Sequence, residues 1–305
     1  MTLRIAELIE KHALELAVRD NGTEISMAIK AELGSAAATF RYYGEAIDKV
    51  YGQIAPIAPG ILGLTSHEPV GVVAAIVPWN FPMMIGARKI APALAAGNSV
   101  VLKPAEGASL TLLRLAELCA EAGLPEDVLN VVTCTGAVVG EALDQATEAE
   151  AISSSTQLEK DLGFIDTATA EGGRLETGGA RILRKTGGYY LPPTVFGCVI
   201  PAMTLAQQVA FGPVLAVMRF SGEDDALRIA NSTVYGLASA VWTAKFGRAH
   251  RIVRGIRAGV VHVNTCGGAD GTVPLRGMRQ SGNGHNKSLH ALDIYSDIKT
   301  AWLQL

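Results

Sequence analysis

Residues 71–106 read GVVAAIVPWNFPMMIGARKIAPALAAGNSVVLKPAE, and this stretch decides the fold. An apolar run, 71–77, ends at the sequence PWNFP, 78–82. A segment typical of a helix follows, and a second apolar run, 99–102, ends at Lys103–Glu106. The pattern predicts a strand, a crossover helix and a second strand parallel to the first. Because ligands bind at the carboxyl ends of strands in an open parallel sheet, we expect a binding site where these two runs stop.

The composition of the chain excludes several classes of protein. With 305 residues, 49% of them hydrophobic and 18% charged, we expect a globular protein with room for two domains. A net charge of −3 without a basic stripe argues against nucleic acid as a partner. No apolar run reaches the length of a membrane span, and the amino end is charged and amphipathic rather than a signal peptide. The four cysteines are scattered without metal-ligand spacing, so we expect no metal site and a cytoplasmic location.

The rest of the chain continues to alternate between strand and helix, which predicts an α/β fold with an incomplete doubly wound parallel sheet and a second α/β unit. We expect a cofactor-binding domain over 1–142 with an exposed arm near 60–69, a second domain over 143–284, and a tail over 285–305 that ends in a strand. In the second half the predicted strands are Arg174–Glu176, Tyr189–Val195, Pro213–Phe220, Leu237–Trp242 and Val260–Val263.

Six motifs together resemble the aldehyde dehydrogenase superfamily, in particular its branch that acts on amino-aldehydes and similar compounds. They are PWNFP at Pro78–Pro82, KPAE at Lys103–Glu106, FGPV at Phe211–Val214, YGLASAVWT at Tyr235–Thr243, and QSGNG with KSLHAL between Gln280 and Leu292. The resemblance implies NAD-dependent oxidation of an aldehyde to a carboxylic acid through a cysteine thioester. It also implies that the arm and the tail strand serve oligomerisation, in a homo-oligomer or with a full-length paralogue.

The resemblance assigns a catalytic role to Asn80, whose side-chain amide would donate to the oxyanion formed when a thiolate attacks the aldehyde. One preorganised donor of this kind typically lowers the barrier by about 3 kcal/mol. The cofactor-binding positions of the family fall on Val77, Pro78, Trp79, Lys103, Glu106, Gly136, Gly140, Gln157, Lys160 and Phe211. Lys103 and Glu106 would bind the adenosine ribose hydroxyls, and a carboxylate there favours NAD over NADP because it repels the additional phosphate.

The same resemblance implies that parts of the catalytic machinery are missing. The family carries a glutamate in an ELGGK motif and a nucleophilic cysteine in a GQxC motif, and neither motif occurs here. Residues 133–142 match the third cofactor strand and the next helix, whereas 143–147 already match a part that follows the nucleophile in the family. Val209 stands where the family has a glutamate that holds the nicotinamide ribose. We therefore expect an inactive or severely impaired dehydrogenase with weak or lost NAD binding.

Three interpretations remain open. The first is an active dehydrogenase that uses Cys266, the one cysteine placed at the start of a glycine-rich loop. The second is a non-catalytic relative that oligomerises, and the third is a dinucleotide-binding relative without chemistry. The sequence LETGG, which contains Glu176, resembles the ELGGK motif. Its neighbours match a different turn of the family, so we interpret Glu176 as a structural residue.

Overall fold

The computed structural model describes residues 1–17, 20, 25, 28–56, 58, 61–133, 154–182, 184, 189–266 and 270–304. The chain divides into two compact units. Unit 1 consists of Met1–Thr147, Asp270–Pro274 and His285–Leu305, and unit 2 consists of Glu148–Ala269 and Leu275–Gly284. Within the described ranges, no helix has the length and apolar character that crossing a membrane requires.

The described helices are distributed over both halves of the chain. In order they are α1 (Thr2–Lys11), α2 (Ala13–Ala17), a π-helical turn (Ala28–Leu33), α3 (Gly34–Ala46), a 3₁₀ turn (Ile47–Lys49), α4 (Pro82–Ala95), α5 (Leu110–Glu121), α6 (Ser155–Ala170), α7 (Thr204–Gln207), α8 (Glu223–Ala230), α9 (Phe246–Gly255) and two further 3₁₀ turns, Arg279–Ser281 and Leu289–Ile294.

The described strands are short except for two. They are β1 (Gln53–Ala55), β2 (Ile61–Pro69), β3 (Val72–Ile76), β4 (Ser99–Lys103), β5 (Leu129–Val131), β6 (Arg174–Thr177), β7 (Thr194–Gly197), β8 (Val214–Ala216), β9 (Ala238–Val241), β10 (Val260–Val263), β11 (Leu275–Arg276), β12 (His285–Asn286) and β13 (Ser296–Gln304).

The centre of unit 1 is a parallel sheet with the order β3, β4, β5. Val72 pairs with Ser99, and Val100 pairs with Leu129. Helix α4 is the crossover between the first two strands, and α5 connects the second to the third. The strand–helix–strand unit predicted from 71–106 is therefore confirmed, as is the α/β class.

The core of unit 1 lies on one face of this sheet. Strand residues Val100 and Leu102 are completely buried, and helices α1, α3, α4 and α5 supply the apolar side chains of the same cluster, among them Ile5, Ile9, Phe40, Tyr43, Met83, Ile90, Leu112, Leu115 and Leu118. Alternate residues of β3 point to the opposite face, where Val72 is 71% exposed.

Unit 1 also carries a three-stranded antiparallel sheet in the order β1, β2, β13. The tail strand β13 pairs with β2 over nine residues, from Ser296 opposite Pro69 to Gln304 opposite Ile61. We call these three strands the arm. The exposed strand predicted near 60–69 and the terminal strand are both present, and they pair with each other.

Unit 2 contains two small sheets. Strands β6, β7 and β8 form one, with β6 antiparallel and β8 parallel to β7, and β9 pairs in parallel with β10 in the other. The strand predicted over Tyr189–Val195 was placed too early, since regular pairing begins only at Thr194. The physical reason is Pro192–Pro193, because proline has no N–H to donate to a ladder.

Candidate functional site

The carboxyl ends of β3 and β4 lie side by side. Ile76 pairs with Lys103, and the Val77 amide donates to the Lys103 carbonyl at 3.0 Å. The residues that follow the two strands therefore start from neighbouring points at one edge of the sheet. Val77 is buried, whereas Pro78 and Trp79 are half-buried.

Asn80 lies in the turn that connects β3 to α4. Phe81 has a positive φ of 49°, which reverses the chain, and Pro82 opens the helix at a position where its missing N–H costs nothing. The side-chain Oδ1 of Asn80 is buried and has no hydrogen-bond partner among the described residues. A buried amide oxygen without a partner is costly, so a donor supplied at this position would be bound favourably.

The residues after β4 differ in exposure. Lys103 is only 9% exposed, so its aliphatic stem is packed in the protein, whereas Glu106 is exposed three residues later. The structure brings Val77, Pro78, Trp79, Lys103 and Glu106 to the same sheet edge. Gly136 and Gly140 lie outside the described residues.

Two carboxylates that the sequence did not single out hold the amino ends of the two crossover helices. Glu32 Oε2 accepts from the Met83 amide at 3.2 Å in the first turn of α4. Asp20 accepts from the Leu110 and Thr111 amides, both at 2.9 Å, in the first turn of α5. Free N–H groups at a helix start need hydrogen-bond acceptors, and the carboxyl oxygens of these two residues satisfy them.

Glu32 is 6% exposed, and burial raises its pKa from 4.5 to about 7, with the nearby Asp20 carboxylate contributing in the same direction. The Met83 amide opposes this shift. Asp20, Glu32, Met83 and Thr111 line one small cavity. The interior beside the helix α4 start therefore contains a carboxyl group that titrates near neutral pH.

Lys287 is a second buried titratable group of unit 1. Its side chain is 7% exposed, and burial together with the positive charge of Arg88 lowers its pKa to about 8, while Asp270 acts in the opposite direction. Lys287 and Ser288 both have positive φ, 65° and 53°. The buried Tyr43 hydroxyl donates to the Ser288 carbonyl at 3.0 Å and fixes this strained pair.

In unit 2, Gln157 connects helix α6 to the segment before β8. Its side-chain Nε2 donates to Asp161 Oδ1 at 2.9 Å and to the Ala210 carbonyl at 3.2 Å. Phe211 follows directly and has a positive φ of 54°. Gln157 and Phe211 are thus brought together, whereas Lys160 is exposed on α6. Sequence analysis missed Asp161, although the helical spacing of Leu158 and Ile165 would have placed it on the buried face.

The cysteines occupy different environments. Cys119 is completely buried in α5, and burial raises its pKa to about 12. Cys198 and Cys266 are exposed, and both lie in unit 2. Cys134 lies outside the described residues. Within the described part of the chain, no three His, Cys, Asp or Glu residues could hold a metal ion together.

Comparison with known proteins agrees with the fold. The chain is 36% identical over 405 residues to the NADP/NAD-dependent aldehyde dehydrogenase PuuC of Escherichia coli, covering 99% of this chain and 82% of that protein. It is 33% identical to aminoacetaldehyde dehydrogenase of Pseudomonas aeruginosa, with the same two coverages. The alignment with PuuC is longer than this chain of 305 residues, so that relative contains residues without a counterpart here.

Solved structures show the same relationship. A crystal structure of indole-3-acetaldehyde dehydrogenase with NAD⁺ matches with a TM-score of 0.96 and 35% identity, covering 100% of this chain and 83% of that one. The aldehyde dehydrogenase KauB from Pseudomonas aeruginosa matches with a TM-score of 0.95 and 34% identity, with the same coverages. The sequence model of the aldehyde dehydrogenase family matches residues 1–154 and 138–301. With almost all of its length matched in these comparisons, the chain belongs to the aldehyde dehydrogenase family.

Proposed function

We propose that this chain is a non-catalytic member of its family that retains part of the NAD-binding surface and does not by itself oxidise aldehydes. The observation that carries the proposal is that no described cysteine has the environment of a reactive thiolate. Cys119, the one described cysteine of unit 1, is completely buried in a helix and has a pKa raised to about 12. A thiol of this kind supplies almost no thiolate at neutral pH.

The exposed cysteines lack the surroundings that activate a nucleophile. Cys266 follows β10, and the described structure shows no hydrogen bond between its thiol and a basic side chain. Cys198 follows β7 and lies near the Arg174 guanidinium, but that group is already paired with Glu176 at 2.6 Å. A covalent thioester route needs both a thiolate and a general base for the deacylating water. We propose that the family residues without a counterpart here include both groups.

The retained part of the cofactor site is the edge where β3 and β4 end. The residues that would fit NAD lie at the ends of two neighbouring strands. They are Lys103 and the exposed Glu106 at the end of β4, and Pro78 and Trp79 after β3. We propose that Lys103 and Glu106 bind the adenosine ribose and prefer NAD to NADP. Val209, which is 37% exposed, would offer the nicotinamide ribose no acceptor, so we expect binding weaker than in a complete relative.

The experiment is a direct assay followed by a titration. Purified chain mixed with NAD⁺ and several aldehydes, including amino-aldehydes, should form no NADH above the background of the buffer. NADH added alone should show enhanced fluorescence, and Glu106→Ala should weaken that binding. NADH formation at ordinary enzyme rates would contradict the proposal that the chain is non-catalytic.

Cys266→Ala tests the alternative in which an exposed thiol has taken over catalysis. We expect this variant and the wild type to give the same background rate. If the wild type is active and Cys266→Ala abolishes that activity, Cys266 is the nucleophile. Mass spectrometry of the chain after incubation with aldehyde and NAD⁺ should accordingly show no acyl adduct.

We further propose that the arm assembles with a second subunit. Residues 297–303 of β13 are exposed on both faces of the strand. Apolar side chains of the arm are accessible: Ile54 is 71%, Ile298 69% and Trp302 65% exposed. A strand that is exposed on both faces gains little from hydrophobic packing on its own. A partner that covers it would supply the missing contacts, and we propose another copy of this chain or a longer paralogue.

Trp302→Ser should dissociate the assembly that the arm forms. Light scattering coupled to gel filtration should show an oligomer for the wild type and a smaller species for the variant at the same concentration. Trp242→Ser is the matched control, because Trp242 is similarly exposed, at 63%, but belongs to unit 2. An unchanged mass for Trp302→Ser would contradict assembly through the arm.

A further inference from the structure

One charged residue lies in the buried stripe of helix α6. The buried side chains of this helix are Leu158, Asp161, Ile165 and Ala168, which repeat at helical spacing. Asp161 is 0% exposed although its three companions are apolar. An aspartate is rarely buried to this extent without a role, because the ionised carboxylate loses its hydration.

The two oxygens of Asp161 have different environments. Oδ1 accepts from Gln157 Nε2 at 2.9 Å, while Oδ2 is buried and has no hydrogen-bond partner among the described residues. Burial raises the pKa of this carboxyl, and the Gln157 hydrogen bond opposes the shift. The unpartnered oxygen makes the arrangement costly for stability, so an apolar residue here would suit the fold better.

The carboxylate also packs against the backbone of Gly212. A Cβ added to Gly212 would overlap all three carboxylate atoms of Asp161. The contact therefore requires glycine directly after Phe211, which itself has a positive φ of 54°. Asp161 thus lies under the turn that presents the Phe211 ring.

Gln157 completes the connection. The same Nε2 that binds Asp161 also donates to the Ala210 carbonyl at 3.2 Å, so the amide bridges the helix and the turn. The turn then leads into β8 through two backbone hydrogen bonds: the Val214 amide donates to the Gly212 carbonyl and the Thr194 amide to the Pro213 carbonyl, both at 2.7 Å. These contacts make one local unit of α6, the turn and the start of β8.

We propose that Asp161 is a positioning residue, which orients the Gln157 amide and holds the Ala210–Gly212 turn so that Gln157 and Phe211 present a preformed surface to the dinucleotide. The inference rests on the proposed function and on the family resemblance, which assigns Gln157 and Phe211 to cofactor-binding positions. Asp161 itself is too deeply buried to touch a ligand, so it acts through these two residues. The unpartnered Asp161 oxygen lowers the stability of the fold, and in this proposal the loss is tolerated because Asp161 favours cofactor binding.

The test compares Asp161→Leu with Asp161→Asn. Leucine fits the apolar stripe but offers Gln157 no acceptor, so we expect a higher melting temperature together with NADH binding weakened about tenfold, the usual scale for one hydrogen bond to a charged group. Asparagine keeps an acceptor oxygen toward Gln157 and should restore affinity to near the wild-type value. A purely structural role would move stability and affinity in the same direction.

Hydrogen exchange of the free chain provides a readout that does not depend on NADH. The Thr194 and Val214 amides should exchange faster in Asp161→Leu than in the wild type despite the higher melting temperature. Gln157→Leu should produce the same change, and the double variant should add little to either single one. Ile165→Val serves as the control, since it alters the same buried stripe without a contact to Gln157.

Unchanged exchange at Thr194 and Val214 in Asp161→Leu would overturn the positioning role, as would equal NADH affinity in all variants. If the wild type binds no NADH at all, the proposed function fails, but the exchange pattern still decides whether Asp161 orders the turn. The two failures are therefore distinguishable.

Discussion

Replacement of Asn98 by alanine should lower the free energy of unfolding of unit 1 by about 3 kcal/mol, because it removes three hydrogen bonds of a buried side chain and each contributes about 1 kcal/mol net. Asn98 is 2% exposed. Its Oδ1 accepts from the Gly71 amide at 2.8 Å, and its Nδ2 donates to the Ala93 carbonyl at 3.1 Å and to the Tyr295 carbonyl at 2.8 Å. One side chain thus joins the start of β3, the end of α4 and the segment before the tail strand.

Denaturant unfolding monitored by tryptophan fluorescence measures this loss, and limited proteolysis should show earlier cleavage near the tail strand. Asn130→Ala is the matched control: Asn130 Nδ2 also donates to a carbonyl, that of Asp127 at 2.8 Å, but at an exposed position. Asn130→Ala should lower the free energy of unfolding by less than about 1 kcal/mol. Equal losses for the two variants would show that the buried connection through Asn98 does not stabilise the unit.

The contrast between these two asparagines illustrates what sequence reasoning can supply. The pattern of 71–106 predicts β3, α4 and β4 because each signal in it is local: apolar runs of strand length, a proline at the helix start, and Gly97–Asn98 after the helix end. That Asn98 also binds Tyr295 depends on a pairing 197 residues away in the chain. Local patterns carry no information about such a contact.

The helix caps Asp20 and Glu32 were missed for the same reason. A cap is recognised in a sequence when it directly precedes its helix. Glu32 binds the start of α4 from 51 residues upstream, and Asp20 binds the start of α5 from 91 residues upstream. Only the packing of the amino-terminal helices brings these carboxylates to the helix ends.

The motifs, in contrast, were sufficient for the family and for the placement of residues at the β3–β4 edge. Strand order in a parallel βαβ unit is strongly restricted, so the ends of two consecutive strands could be expected to lie together. The local sequence around Gln157 did not reveal its hydrogen bonds to Asp161 and to the Ala210 carbonyl, because these depend on the burial of Asp161 and on the turn at Phe211. Side-chain networks of this kind depend on packing that no motif describes.

Glu32→Gln should remove a pH-dependent loss of stability. The folded-state pKa of Glu32 is about 7, above its ordinary value of 4.5, so the fold favours the protonated carboxyl. Below pH 4.5 this group is protonated in both states and its full contribution to stability is present. As the pH rises toward 7, the unfolded chain loses the proton first, and stability falls by at most about 3 kcal/mol, since one pKa unit corresponds to about 1.4 kcal/mol.

Glutamine keeps a side-chain oxygen that can accept from the Met83 amide, which Glu32 binds at 3.2 Å, but it does not titrate. We therefore expect Glu32→Gln to match the wild type near pH 4.5 and to exceed it at pH 8 by up to about 3 kcal/mol in urea unfolding. Glu7→Gln, at an exposed position of α1, should change stability by less than about 0.5 kcal/mol at either pH. Parallel stability curves for Glu32→Gln and the wild type between these pH values would mean that the buried carboxyl does not hold its proton. The start of α4, directly after Asn80, would then be held by an ionised carboxylate at neutral pH, and the Asp20–Glu32 cavity would contain two negative charges.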